Sequence, residues 1–233
     1  MQSIIQEILI AIVPVLLAIT LHEVAHGYVA YILGDPTAKI MGRLTLNPLH
    51  HIDLFGTLIL PFLLYYISAG RIVFGYAKPV PVNFYNLRNP KRDMIWVSGA
   101  GPSTNIVLAL VSAFLFHAIT YLYPDAIYFV NHPDMLHQGG WIDLFLVPLL
   151  LMIVVSVEIN ILLAFFNLIP IPPVDGGRVL VGLLPERYSR LLEQIEPIGI
   201  ILIALILIFN PLGIMSRLFW PAIDGLTRLL LWY

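Results

Sequence analysis

Cysteine is absent from the 233-residue chain. Its absence excludes disulfides, thiolate metal sites and a cysteine nucleophile. Charge is scarce too. Asp, Glu, Lys and Arg make up 11% of the residues and sum to −2, which excludes nucleic acid as a partner, since that requires a basic face. Polar residues are too few to enclose a water-soluble fold: 59% of the chain is apolar and the mean hydropathy is +0.90. The solvent for most of this protein is therefore a lipid bilayer. No basic stretch precedes the first apolar run, which starts at Ile4, so a cleavable signal peptide is not expected.

What the chain has instead is long apolar runs. Those at about 4–33, 94–123 and 141–168 exceed the ~20 residues a helix needs to cross a bilayer. A borderline run covers 54–70, a short one 197–210, and a final helix at 214–232 either spans or lies in the interface. Between them the pattern changes. TAKIMGRLTLNPLHH, residues 37–51, alternates loosely and predicts a short strand or hairpin. RIVFGYAKPVPVNFYNLRNP, residues 71–90, holds too many prolines for a helix and predicts extended backbone. The expectation is an all-α polytopic membrane protein of about five to six transmembrane helices. It carries a small re-entrant, membrane-associated β-hairpin region at about 37–90 and C-terminal helices at about 197–232, all in a single domain, 1–233.

Basic residues orient the chain. The 124–140 loop has no Lys or Arg and faces outside, whereas Lys39, Arg43, Lys91, Arg92, Arg178, Arg187 and Arg190 belong inside. Residues 43 to 91 then cross an even number of times, descending through 54–70 and returning through 71–90. Irregular returning backbone must be sheltered by protein or line a wet cavity.

Inside the first run stands HEVAH. His22 and His26, four apart on a helix, put both rings on one face a turn apart, as one metal ion requires. Glu23 lies beside them, where it can reach a water rather than the metal. HExxH would arise about once in two hundred shuffles of this composition, and ionisable groups at membrane depth are costly enough to mark a site. Catalytic zinc takes three protein ligands. Asp175 is the candidate for the third, as the acid in the helix-breaking stretch at the cytoplasmic end of a span. The alternative for it is a turn or helix-cap aspartate. His50, His51 and Asp53 form a second polar cluster, better read as capping than as a rival metal site. Glu158 and Asn160 stand inside a span, as partners of a ligand histidine or along a substrate path, and His117 reads as structural.

HEVAH, SGAGPSTN (98–105) and FNLIPIPPVDGG (166–177), in that order, resemble the site-2 protease family of intramembrane zinc metalloproteases. GYAKPVPVN looks like the membrane-embedded hairpin of its compact prokaryotic members, without PDZ or CBS modules. The resemblance implies one Zn²⁺ per chain on His22, His26 and Asp175, with Glu23 as catalytic carboxylate and Asn167 assisting the reacting carbonyl. Asn105 is expected to support the HEVAH helix, and Lys78, Pro79, Val80, Pro81, Val82 and Asn83 to meet substrate by strand addition. The activity implied is hydrolysis of peptide bonds in or near the membrane segments of single-span substrates. It would take place in the cell membrane, with the site toward the cytoplasm. A membrane metal transporter or channel, or a non-catalytic zinc-binding homologue, is the alternative.

Overall fold

The structure, a computed structural model, describes residues 2–67, 75–132, 140, 142–210 and 213–232. Three of its helices are long and apolar enough to cross a membrane: α1 (Gln2–Leu33), α4 (Pro90–Leu122) and α6 (Asp143–Asn167). Each carries an internal proline, Pro14, Pro102 or Pro148, without ending there. α4 opens with Pro90 in its first turn, and Asp93 accepts from the Asn89 N–H (2.8 Å), two devices that start a helix.

The helix faces are inverted relative to a soluble protein. Exposed positions on α1 and α4 are large and apolar, including Leu9, Val13, Leu17, Val107, Leu110 and Phe114. Buried ones include Thr20, Ser98, Asn105, Ala109, Ser112 and Ala113. Small and polar residues let helices approach and hydrogen-bond one another, while lipid solvates the large side chains. The chain is a multi-pass membrane protein.

Five to six spans were expected, and three reach the required length among the described residues. α8 (Glu186–Phe209) is charged up to Glu196 and apolar only after Pro197, too short an apolar stretch to cross at 1.5 Å per residue. The final run begins as a π-helical turn, Met215–Phe219, and continues as α9 (Trp220–Leu231), which seats Ile223 and Leu231 among Phe116, Leu150 and Val157. A π-helical stretch at Leu54–Ile59, followed by α3 (Leu60–Ile67), occupies the 54–70 run. The remainder of that descent, and the start of the return, lie outside the described residues.

The expected strand or hairpin over 37–51 is not formed, and no strand occurs among the described residues. Side-chain caps decide the matter. Asp35 accepts from Thr37 N (3.1 Å) at the start of α2 (Thr37–Ile40), and Asn47 accepts from Leu49 N (3.1 Å) at a 3₁₀ turn, Pro48–His50. Such local bonds satisfy the backbone without a strand partner. Residues 75–83 form no helix, as the prolines predict, and they are held without a strand ladder, by side chains and by two backbone bonds, Tyr76 N to Gly56 O (3.0 Å) and Lys78 N to His51 O (2.9 Å). Gly27 makes room for them on α1, since a Cβ there would stand 2.7 Å from both Val80 Cγ1 and Leu44 Cδ2.

Asp35 is fully buried and gathers this region. It accepts from Thr37, from Asn83 N (2.7 Å) and from Asn86 Nδ2 (2.9 Å). Burial opposes its ionisation, but these donors outweigh burial and hold the carboxyl below its ordinary 3.8. A depressed folded pKa contributes stability that is present above the unfolded value and lost as pH falls through the folded one. Asp35→Ala should therefore lower unfolding stability by ~1–3 kcal/mol for each buried donor left unpaired. The deficit should shrink in acid, as thermal unfolding in detergent across a pH series would measure. An equal deficit at all pH values would assign the loss to packing alone.

Candidate active site

α5 (Ala126–Asn131) and α7 (Asp175–Leu183) complete the helices, and α4 packs against α1, α6 and α7. That arrangement brings HEVAH and Asp175 together. The segment after α6 turns back through Ile169–Val174, and α7 begins at Asp175. Gly176 and Gly177 allow this, because a Cβ on either would strike the backbone of Leu168 or Pro172. His22 Nε2 and His26 Nε2 are 3.1 Å apart, and Asp175 Oδ2 lies 3.2 Å from each.

The tautomers follow from the neighbours. His22 Nδ1 donates to Asn105 Oδ1 (2.6 Å), and His26 Nδ1 donates to the Val97 carbonyl (2.7 Å). With the ring hydrogens on Nδ1, both Nε2 atoms present bare lone pairs, and they do so to each other and to a carboxylate oxygen. Asp175 Oδ2 is buried with no hydrogen-bond donor of its own. Three acceptors converging without a hydrogen repel one another unless a cation lies among them. Their near-equilateral spacing suits ligand atoms ~2 Å from a common ion. His22, His26 and Asp175 are the one such cluster of metal-ligating side chains among the described residues.

The model of peptidase family M50 matches residues 10–209, which contain the whole cluster. The chain belongs to peptidase family M50. It is 35% identical to "Putative zinc metalloprotease YwhC" of Bacillus subtilis, over 92% of this chain and 85% of that protein. Proteins named "Putative zinc metalloprotease Rip2" are 28% identical in Mycolicibacterium smegmatis and 27% identical in Mycobacterium tuberculosis, over 83% and 84% of this chain. Those two matches span 64% and 65% of the relatives' own lengths. No solved structure matches the chain.

Around this M50 centre the other expected residues fall into distinct groups. Glu23 is partly buried, and its Oε2 accepts from the Val80 N–H (2.7 Å), so the extended segment touches the HEVAH helix at its carboxylate. Asn105 is fully buried. Besides holding His22, it donates to Asn160 Oδ1 (2.8 Å), and Asn160 donates to the Ser156 carbonyl (2.8 Å). A polar chain thus runs from α6 through α4 to the ring of His22. Asn105→Ala should weaken divalent-metal binding by ~10–100-fold, the usual cost of losing a ligand's hydrogen-bond partner. Metal titration against a competing chelator measures it, and unchanged affinity would make Asn105 a packing residue only.

Glu158 does not belong to this network. Its side chain is exposed on α6 and accepts no hydrogen bond among the described residues. Asn167 Nδ2 donates to Leu163 O one turn back (3.0 Å). Among Lys78–Asn83, Lys78 N donates to His51 O (2.9 Å), and Asn83 N donates to Asp35. His51 Nε2 meets the Thr45 carbonyl (2.9 Å) and Asp53 caps Gly56 N (2.7 Å), so these two do not form a metal site with His50. His117 donates to the Leu230 carbonyl (2.7 Å), tying α4 to α9.

In the sequence Gly101 is one small residue within SGAGPSTN. Its true neighbourhood is the imidazole pair: a Cβ there would collide with His26 Nε2 and with the His22 ring. No sequence signal points to the Val97 carbonyl, because any residue supplies one.

Proposed function

We propose that this M50 protein is an intramembrane zinc endopeptidase that hydrolyses peptide bonds in or near the membrane segments of single-span proteins. The observation that carries the proposal is the convergence of His22 Nε2, His26 Nε2 and Asp175 Oδ2, with Glu23 one residue along the same helix. The names of the relatives support zinc as the metal. His22, His26 and Asp175 would hold one ion per chain, leaving a coordination position open. When bound, zinc supplies Lewis acidity toward a peptide carbonyl and lowers the pKa of a water toward ~7.

The remaining steps belong to protein groups. Glu23 takes a proton from the attacking water on a carboxylate oxygen and delivers it to the leaving amine. Asn167 offers its second amide hydrogen to the carbonyl oxygen as charge develops. Asn105 and the Val97 carbonyl keep the two rings from turning. A substrate helix must unwind to expose its amide, and the extended segment offers it a partner. Pro79 and Pro81 lack N–H groups, and Lys78, Val80 and Asn83 have committed theirs. Strand addition to Lys78–Asn83 would therefore centre on Val82. Lys91 pairs with Glu186 (3.4 Å), so the basic starts of α4 and α8 share one end, as a cytoplasmic face requires.

The test is metal removal. Purified protein should contain about one zinc per chain, cleave a single-span substrate, lose that cleavage to a chelator and regain it with zinc. Cleavage that persists in metal-free protein would overturn the proposal. Metal flux across vesicles without cleavage would make the chain a transporter, and stoichiometric zinc without either would make it a binding homologue.

A further inference from the structure

Arg43 is only 8% exposed, yet no carboxylate among the described residues pairs with it. Its Nη2 donates to the carbonyls of Lys78 (2.9 Å) and Pro79 (3.3 Å), and its buried Nε has no partner. Carbonyls satisfy donors but do not neutralise a guanidinium, and a buried charge without a counter-charge is costly. Beside it opens a cavity of about 370 Å³ lined by Arg43, Asn47, Leu49, His50, Ile52 and Lys78. No acid lines this cavity among the described residues. Lys78 and His50 are exposed at its rim, and Asn47 keeps its amide donors while its oxygen caps Leu49 N.

The surroundings fix the depth. Ile40, Met41, Leu46, Leu54 and Phe55 are all exposed, as is Leu49 at the rim. Large apolar side chains bracketing a cationic hollow suit the boundary between acyl chains and headgroups.

We propose that this cavity binds a phosphate-bearing anion, the phosphodiester of an anionic phospholipid headgroup. Arg43 and Lys78 supply the counter-charge, Asn47 and His50 donate hydrogen bonds, and Leu49 meets the lipid's apolar portion. Free inorganic phosphate shares the charge chemistry, and the apolar surround favours the lipid. The carbonyls that Arg43 grips lie just before Val80, whose N–H rests on Glu23. The bound anion would therefore steady the extended segment where it meets the metal centre.

The experiment places the full chain in nanodiscs of phosphatidylcholine, with or without one phosphatidylglycerol in five lipids, and separately adds inorganic phosphate at constant ionic strength. Native mass spectrometry counts retained phosphatidylglycerol, and intrinsic fluorescence gives the unfolding temperature. Wild type should retain phosphatidylglycerol in preference to phosphatidylcholine and unfold at a higher temperature with it. Lys78→Gln should cut that preference about fivefold, the worth of one basic residue at a charged lipid surface. Arg43→Gln, which keeps an amide donor for the two carbonyls, should abolish it. Arg187→Gln, the same charge change at an exposed position on α8, should leave it intact. If inorganic phosphate alone reproduces the shift, and Lys78→Gln and Arg43→Gln lose it, the anion site stands with a soluble source. The proposal is overturned if neither anion has an effect, or if all three variants respond as wild type does. Lys78 is exposed, so its variant carries the test even if Arg43→Gln does not fold.

Discussion

Glu23→Gln is expected to bind as much zinc as wild type and to cleave a single-span substrate ~10²–10⁴-fold more slowly. The amide has the shape of the carboxylate, and its oxygen still accepts from the Val80 N–H, which meets Glu23 Oε2 at 2.7 Å in the wild type. What it lacks is the ability to take up a proton at neutral pH. Because Glu23 is not among the three converging ligand atoms, metal content should not change. Metal analysis and initial rates on the same preparations decide the matter. Full activity would remove Glu23 from the chemistry, and loss of metal would reassign it to maintaining the site.

Gly101→Ala is expected to weaken zinc binding by at least ~10²-fold and to abolish cleavage with it. A methyl at this position meets His26 Nε2 and the His22 ring. Neither ring can swing aside freely, because both Nδ1 atoms are engaged, by Asn105 and by the Val97 carbonyl. Overpacking of this kind costs ~1–3 kcal/mol even in an ordinary core, and here the displaced atoms belong to the proposed ligands. Gly99→Ala is the control. A Cβ at Gly99 meets nothing within 4 Å, and alanine is the better helix former by ~1 kcal/mol, so that variant should keep its metal and unfold no earlier. Zinc titration of both variants against a chromophoric chelator tests the pair. Wild-type affinity in Gly101→Ala would show that α4 can retreat from the histidines.

Two kinds of information were legible along the chain. One was solvent: a long run without Asp, Glu, Lys or Arg at 94–123, and one at 141–168 broken only by Asp143 and Glu158, exist because lipid tolerates little else, and helices α4 and α6 form there. The other was short-range chemistry. An i, i+4 histidine pair shares a helix face whatever the rest of the fold does, and Pro79 and Pro81 exclude helix around them. The strand expected at 37–51 failed for a reason of the same scale. Alternation favours pairing, but Asp35 and Asn47 satisfy nearby backbone N–H groups locally instead. In the C-terminal part the apolar half of α8 is short and its other half is charged.

The sequence by itself thus determined the bilayer as solvent, the three long apolar helices and the shared face of His22 and His26, since each depends on composition or on neighbours within a turn. Tertiary structure alone decided that Asp175 reaches the two imidazoles, that Gly101 lies against them, that Asn105 and the Val97 carbonyl set their tautomers, and that Arg43 is buried with no acid beside it among the described residues. Those facts depend on how α1, α4 and α7 rotate against one another. Rotation is set by the summed packing of many small and polar side chains far apart in the chain, which no local stretch encodes.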